Sequence, residues 1–262
     1  MAYIKEYWNN REKRKESAQV WTRKMDMYFA DEILKSVRST SVWSWNGFIY
    51  SKGIRGINPE IEVWDVGVTQ AIQMMGSAGG KMAVLNFASY KNPGGKFMEG
   101  SCAQEECLCH ESYLYNVLRE KAKFYEWNQQ NLNRSLYTNR ALYSPEILFF
   151  ENGEPGNRCD VITCAAPNKS AAQKYCSVSD AENSDALESR IRFVLDIAQA
   201  NQVKRLILGA YGCGVFGQDP KEVAAIFKDY LEKPWYGFTK VVFAIPEGKD
   251  ENLRIFKEVF MV

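Results

Sequence analysis

Apolar residues recur along the chain in short blocks whose spacing alternates between the periods of strand and helix. KMAVLNFAS, residues 81 to 89, is almost continuously apolar, as a strand covered on both faces requires. CDVITCAA (159 to 166), VKRLILGA (203 to 210), FTKVVFAI (238 to 245) and the shorter IEVWDV (61 to 66) read the same way. Segments with helical spacing lie between them. TQAIQMM follows the first strand, LESRIRFVLDIAQA sets Leu187, Ile191, Leu195 and Ala198 in register, and ENLRIFKEVF closes the series. Asp219 caps a further helix, with Pro220 at its first position and Glu222 three residues past the cap, which turns Val223, Ile226, Phe227 and Tyr230 inward. Near the start, Val20, Trp21, Met25, Phe29 and Ile33 form a broken stripe that predicts one helix from about Asn9 to Val37. Another helix is predicted from near Gln104 through CLCHESYLYNVLREK, with Leu108, Tyr115 and Leu118 on one side. This alternation predicts helices on both faces of a mainly parallel or mixed sheet. No repeat, low-complexity tract or linker divides the 262 residues, so a single domain is expected.

Composition narrows the class without changing this outline. Hydrophobic residues make up 46% of the chain and charged residues 25%, an ordinary globular balance. No stretch approaches the roughly 18 to 20 apolar residues of a membrane span. MAYIKEYWNNREKRK is basic with no apolar core after it, unlike a secretory signal, so the cytoplasm is the expected compartment. Seven scattered cysteines, an odd number, fit reduced thiols better than a disulfide framework. A net charge of +1 gives no argument for a nucleic-acid coat. The first 24 residues carry seven Lys or Arg against three Glu, which serves either a solvated helix face or a contact with an anionic polymer.

The polar features that packing does not explain all follow predicted strands, where open α/β sheets bind their ligands. These are Asn92 to Glu106, Pro167-Asn168 and Gly209 to Gly217. In GAYGCGVFGQD, Gly212, Gly214 and Gly217 allow successive N–H groups to face one concavity able to hold a diphosphate; a tight structural turn is the other reading. The spacing is neither G-x-x-x-x-G-K-S/T nor G-x-G-x-x-G. Phe216 among these glycines either joins the core or stacks on a sugar or base. Glu105 and Glu106 follow a glycine turn near a helix start. Such a pair equips glycoside hydrolysis, and it equally suits a helix dipole. The single histidine, His110, excludes mechanisms that need two. Its C-x-C-H setting does not match a zinc hairpin, so no metal and no cofactor is expected.

LNFASYKNPGGKFMEGSCAQEECLCHESYLY resembles the signature region of microbial-type poly(ADP-ribose) glycohydrolases, a branch of the macrodomain superfamily. That family follows a Gly-Gly-Gly turn, after a short spacer, with Gln-Glu-Glu. Here Gly94-Gly95-Lys96 precedes Gln104-Glu105-Glu106 by seven residues. The similarity continues through ALYSPEILFF, DVITCAAPN and GAYGCGVFGQDP, from about residue 60 to 245, and the N-terminal helical segment, about residues 1 to 45, resembles the accessory region of the microbial branch. The resemblance implies a macrodomain-like three-layer α/β/α fold with a mixed central sheet and an N-terminal helical extension. It implies hydrolysis of the ribose–ribose O-glycosidic bond of poly(ADP-ribose), releasing ADP-ribose, with Glu106 as the catalytic glutamate and Glu105 holding hydroxyls of the distal ribose. Gln104, Gly94, Gly95, Asn86 and Asn92 would shape the ribose pocket, and Gly212, Cys213, Gly214, Val215 and Phe216 would surround the diphosphate. Hydrolysis of other ADP-ribosyl conjugates, whether ADP-ribosylated macromolecules (protein or nucleic acid) or small molecules, or ADP-ribose binding without turnover, are the alternatives. Lys96 departs from the family by standing at the third glycine. A left-handed backbone there would cost a lysine on the order of 1 kcal/mol or more. Its side chain would either obstruct a ligand or turn outward and attract the diphosphate.

Overall fold

The computed structural model describes residues 10–44, 58–76 and 79–261. In chain order its strands are β1 (Ser41–Ser44), β2 (Glu60–Trp64), β3 (Met82–Phe87), β4 (Arg140–Glu151), β5 (Glu154–Cys164), β6 (Arg205–Leu208) and β7 (Lys240–Ala244). The α-helices are α1 (Arg11–Tyr28), α2 (Ala30–Ser39), α3 (Val68–Met75), α4 (Gln104–His110), α5 (Leu114–Leu118), α6 (Ala122–Gln130), α7 (Lys169–Cys176), α8 (Asp180–Ala200), α9 (Pro220–Leu231) and α10 (Asn252–Phe260). The strands form one sheet in the order β1-β4-β5-β3-β6-β7-β2. Pairing is parallel from β5 through β3, β6 and β7 to β2, and antiparallel where β4 joins β5 and β1. The sheet is therefore mixed, as expected, with the apolar runs at its centre.

Alternation along β3 divides the core between two layers. Ala83 and Leu85 face a cluster with Leu187, Ile191, Leu195, Phe227 and Phe256, contributed by α8, α9 and α10. Met82 and Val84 face the opposite cluster, with Met25, Ile72, Leu108, Val117 and Phe124 from α1, α3, α4, α5 and α6. Helices thus cover both faces, and the predicted three layers are present.

Several boundaries differ from the sequence reading for identifiable reasons. The first helix breaks at Phe29, whose φ of −127 and ψ of 27 turn its ring against Phe150, with centroids 5.2 Å apart. Asn9, the expected start, lies outside the described residues, as do residues 1–8. Val20 is not part of the buried stripe; it is 58% exposed, while Ala18, Thr22 and Met25 face inward. The helix expected from Gln104 onward stops at His110 because Glu111 and Ser112 turn to the sheet. Phe150 N–H donates to Glu111 O at 2.7 Å, and Ser112 bridges Phe149. The strand expected at 159–166 is the end of a longer hairpin with β4, closed by Asn152 and Gly153 at φ of 53 and 85. Asp219 does cap α9 with Pro220 at the first position, but its carboxylate accepts from Lys221 N–H, and Glu222 instead accepts from Ser184. A complete capping box stands at the start of α8, between Ser179 and Glu182.

The N-terminal helix has a defined structural task. Arg14 Nε donates to Gly100 O at 2.8 Å and Arg11 Nε to Glu99 O at 3.0 Å. Gly100, at φ of 77, lies so close to α1 that a Cβ would stand 2.8 Å from Lys15 N. Helix α1 therefore clamps the segment between the Gly94-Gly95 turn and Gln104.

Candidate active site

Parallel pairing brings the carboxyl ends of β3, β5 and β6 to one sheet edge, and the loops that follow them enclose a cleft of about 490 Å³. The three polar segments singled out from sequence meet there: Asn92, Gly95, Glu105 and Glu106 from the β3 side, Asn168 after β5, and Gly212, Gly214, Val215 and Phe216 after β6.

The β3 side is closely determined. Gly94 and Gly95 have φ of 65 and 59, a region glycine adopts without a Cβ penalty. A Cβ on Gly95 would stand 2.5 Å from Glu106 Oε1 and 2.9 Å from Glu105 Oε2, so both carboxylates press against bare backbone. Lys96 has φ of −111 and ψ of 32, so the left-handed strain considered for it does not arise. Its N–H donates to Glu106 Oε1 at 2.8 Å, and the residue is exposed on the cleft wall. Glu106 Oε2 is buried and has no hydrogen-bond partner among the described residues. Glu105 accepts from Ser89 N–H at 2.7 Å and from Asn86 Nδ2 at 3.2 Å. Burial, assisted by the neighbouring Glu106 charge, pushes the Glu105 pKa up to about 8 against the pull of these donors.

Two residues expected to shape the ribose pocket are hydrogen-bonded to the protein itself. Gln104 accepts from Phe87 N–H and donates to Leu85 O, each at 2.8 Å, so its amide is tied to the β3 backbone. Asn86 is fully buried behind the cleft, donating to Glu105 and to Thr163 Oγ1. Both position the carboxylates. Gln104 still lines the cleft, whereas Asn86, Gly94 and Cys213 do not; a Cβ on Gly94 would meet Tyr115 at 2.8 Å. His110, the last residue of α4, packs against Phe97, with ring centroids 4.7 Å apart, and burial lowers its pKa to about 4. Among the described residues no group of three or more His, Cys, Asp or Glu is placed to hold a metal ion.

On the β6 side, Gly212 and Gly217 have φ of 78 and 72, and an added Cβ at Gly212 would stand 2.8 Å from Ala166 Cβ. At Gly214 an added Cβ meets nothing within 4 Å, because that position faces the open cleft. The N–H groups of Gly214, Val215 and Phe216 have no acceptor among the described residues. Such a run forms a nest for an anion. Ser170 N–H to Phe216 O (3.0 Å) and Gln218 Nε2 to Pro167 O (2.8 Å) stitch this loop to the one after β5.

The sequence reading missed the aromatic side of the cleft. Tyr90 and Tyr137 stack with centroids 4.1 Å apart, and Phe216 meets Tyr137 edge-on at 6.1 Å. Tyr137 reaches this place through a left-handed backbone, φ 61, that no periodicity announces. A neighbouring cleft of about 1000 Å³ was missed as well. It shares Phe87, Gln104 and Ala210 with the first and runs past Gly67, Val68 and Pro246, where Asp65 holds the chain by accepting from Glu247 N–H at 2.6 Å.

A three-layer α/β/α fold with this mixed strand order and a ligand cleft at the carboxyl edge of its parallel strands is macrodomain-like. A family model described as microbial-type PARG, catalytic domain, matches residues 13–152. The crystal structure of poly(ADP-ribose) glycohydrolase from Thermomonospora curvata matches with a TM-score of 0.84 and 31% identity, over 95% of this chain and 100% of that one. The same protein bound to the inhibitor ADP-HPD gives a TM-score of 0.81 at 31% identity, over 95% and 99% of the two chains. Poly(ADP-ribose) glycohydrolase from Deinococcus radiodurans in complex with ADP-ribose gives 0.76 at 29%, over 87% of this chain and 97% of that one. No curated protein matches the sequence significantly. The chain belongs to the microbial-type poly(ADP-ribose) glycohydrolase family.

Proposed function

We propose that the protein hydrolyses the ribose–ribose O-glycosidic bond of poly(ADP-ribose) and releases ADP-ribose, with Glu106 as acid and then base. The observation that carries this reading is the Glu106 carboxylate on the cleft lining: Oε1 is fixed by Lys96 N–H, while Oε2 is buried with no hydrogen-bond partner among the described residues. A buried acceptor without a partner is costly, and a substrate hydroxyl or glycosidic oxygen relieves that cost. Protonated Glu106 donates to the departing 2′-oxygen as the C1″–O bond breaks. Water then attacks the oxocarbenium-like carbon from the cleft, and its proton returns to Glu106.

Glu105 supports this by burial. Held largely neutral below pH about 8, its carboxyl orients ribose hydroxyls by donating as well as accepting. The unpaired N–H groups of Gly214 to Phe216 receive the diphosphate, Phe216 flanks the ribose, and the adenosine end extends into the larger neighbouring cleft. The reading needs no metal or cofactor and takes the whole chain as one catalytic unit, with α1 bracing the reactive segment. No helix among the described residues is long and apolar enough to cross a membrane. Seven free thiols support the cytoplasm as its compartment.

Chromatography of the products released from poly(ADP-ribose) tests the proposal. Wild type is expected to release ADP-ribose. Glu106→Gln, which keeps size but loses the titratable proton, should turn over roughly 10²-fold more slowly or worse, with ADP-ribose Kd within a few-fold by calorimetry. Near-native turnover in the variant would move the acid–base role elsewhere.

A further inference from the structure

Lys91 and Lys96 both line the cleft, both are exposed, and neither makes an ion pair among the described residues. They flank the Asn92-Pro93-Gly94-Gly95 turn that supports the two carboxylates. We propose that Lys91 and Lys96 form a recognition site for the leaving part of the polymer, binding the diphosphate of the ADP-ribose unit whose 2′-oxygen departs. This rests on the polymer-hydrolysis reading above and names the feature of the substrate that the enzyme reads beyond the terminal unit.

Connectivity places that diphosphate within reach. The adenosine ribose that carries the scissile 2′-oxygen carries its own 5′-phosphate roughly six bonds away, well under about 8 Å through space. Lys96 N–H stands 2.8 Å from Glu106 Oε1, so the lysine stem starts beside the acid that protonates the 2′-oxygen. Its flexible four-carbon stem carries the ammonium about 6 Å further. The diphosphate of the terminal unit has a separate receptor in the N–H groups of Gly214, Val215 and Phe216 across the cleft. Two cations on the opposite wall are then left for the other anion that approaches Glu106. Lys96 also lies at ordinary φ, so the backbone presents its side chain without strain.

The test compares kcat/KM on poly(ADP-ribose) with kcat/KM on ADP-ribose carrying a small neutral phenol at C1″, which has the same terminal unit but no leaving diphosphate. The Lys91→Gln/Lys96→Gln variant should lower the polymer-to-phenol ratio at least tenfold and flatten the decline of polymer turnover with added salt. Lys91→Arg/Lys96→Arg, which keeps the charge, should restore most of the ratio. ADP-ribose Kd by calorimetry separates the two diphosphates and is expected to change less than threefold. An equal fall on both substrates, or a matching loss of ADP-ribose affinity, overturns the proposal and leaves polymer hydrolysis standing. A wild type that cleaves the phenol conjugate but not polymer overturns the polymer reading and this proposal with it. Far-ultraviolet circular dichroism and melting of each variant confirm that the folded protein is being compared.

Discussion

On the cleft wall that follows β3, the carboxylates of Glu105 and Glu106 receive hydrogen bonds from Ser89, Asn86 and Lys96 before any ligand arrives. On the wall that follows β6, the N–H groups of Gly214, Val215 and Phe216 find no acceptor among the described residues, and Val215 is 88% exposed. In the proposed reaction the first wall serves the chemistry and the second holds the anion. Preorganised acid–base groups avoid reorganisation during reaction, whereas unfilled donors supply binding. The difference teaches that glycines on the two walls serve opposite ends: Gly95 makes room for protein atoms, and Gly214 leaves room for a ligand.

Substitution of those two glycines breaks the comparison most directly. Gly95→Ala forces a Cβ to within 2.5 Å of Glu106 Oε1 at a φ of 59, so the carboxylates must shift. Turnover is expected to fall by about tenfold to 10²-fold, because a displacement near 1 Å at the reacting groups has that effect. Gly214→Ala meets no protein atom, so its melting temperature should match wild type while ADP-ribose affinity weakens. Steady-state kinetics, thermal melting and calorimetry on the pair decide the matter; equal melting temperatures with equal turnover would erase the distinction between the walls.

Phe216→Ala probes the junction between binding and core. The ring packs partly on Tyr137 and partly on the core cluster, and it lines the cleft. Turnover should fall roughly threefold to tenfold, about 1 kcal/mol of transition-state stabilisation, with melting lowered by a few degrees. A collapse in melting with full activity in the folded fraction would assign Phe216 to the core alone.

A pH dependence of stability probes the β3 wall through folding rather than turnover. Glu105 is raised from 4.5 to about 8 in the folded protein, so between those values the unfolded chain has released a proton that the native chain retains. Stability therefore declines as pH rises through that window. Glu105→Gln removes the cost, and its melting temperature should gain on wild type as pH goes from about 4.5 to about 8, with no difference below. Parallel melting curves across the window would show that Glu105 ionises at its ordinary value.

The elements legible in the sequence were those whose burial is continuous or regular. Runs such as Ala83 to Leu85 and Leu206 to Leu208 announce central strands because both sheet faces are covered. The glycine loop and the carboxylate pair were legible as chemistry because packing alone does not call for them. Strand β1 was not, since its four residues show no fully buried position. The Asn152-Gly153 turn and the Ser179–Glu182 box were written in local chemistry and went unread. Gln104, Tyr137 and Lys96 lay beyond sequence reading for another reason: their roles depend on a distant strand, a left-handed turn and a backbone angle that no pattern specifies.

The double bond of Gln104 to β3 has a wider consequence. By occupying Phe87 N–H and Leu85 O, its amide makes the start of α4 a graft on the central strand. Mechanically, the acidic tip is a lever fixed at its root, and it inherits the stiffness of the best-buried part of the molecule. Segments joined in this way open as one cooperative unit. The acidic end of the cleft is therefore expected to have no softening temperature of its own and to keep its geometry until the sheet gives way, which amide exchange at Glu105 and Glu106 followed against temperature checks.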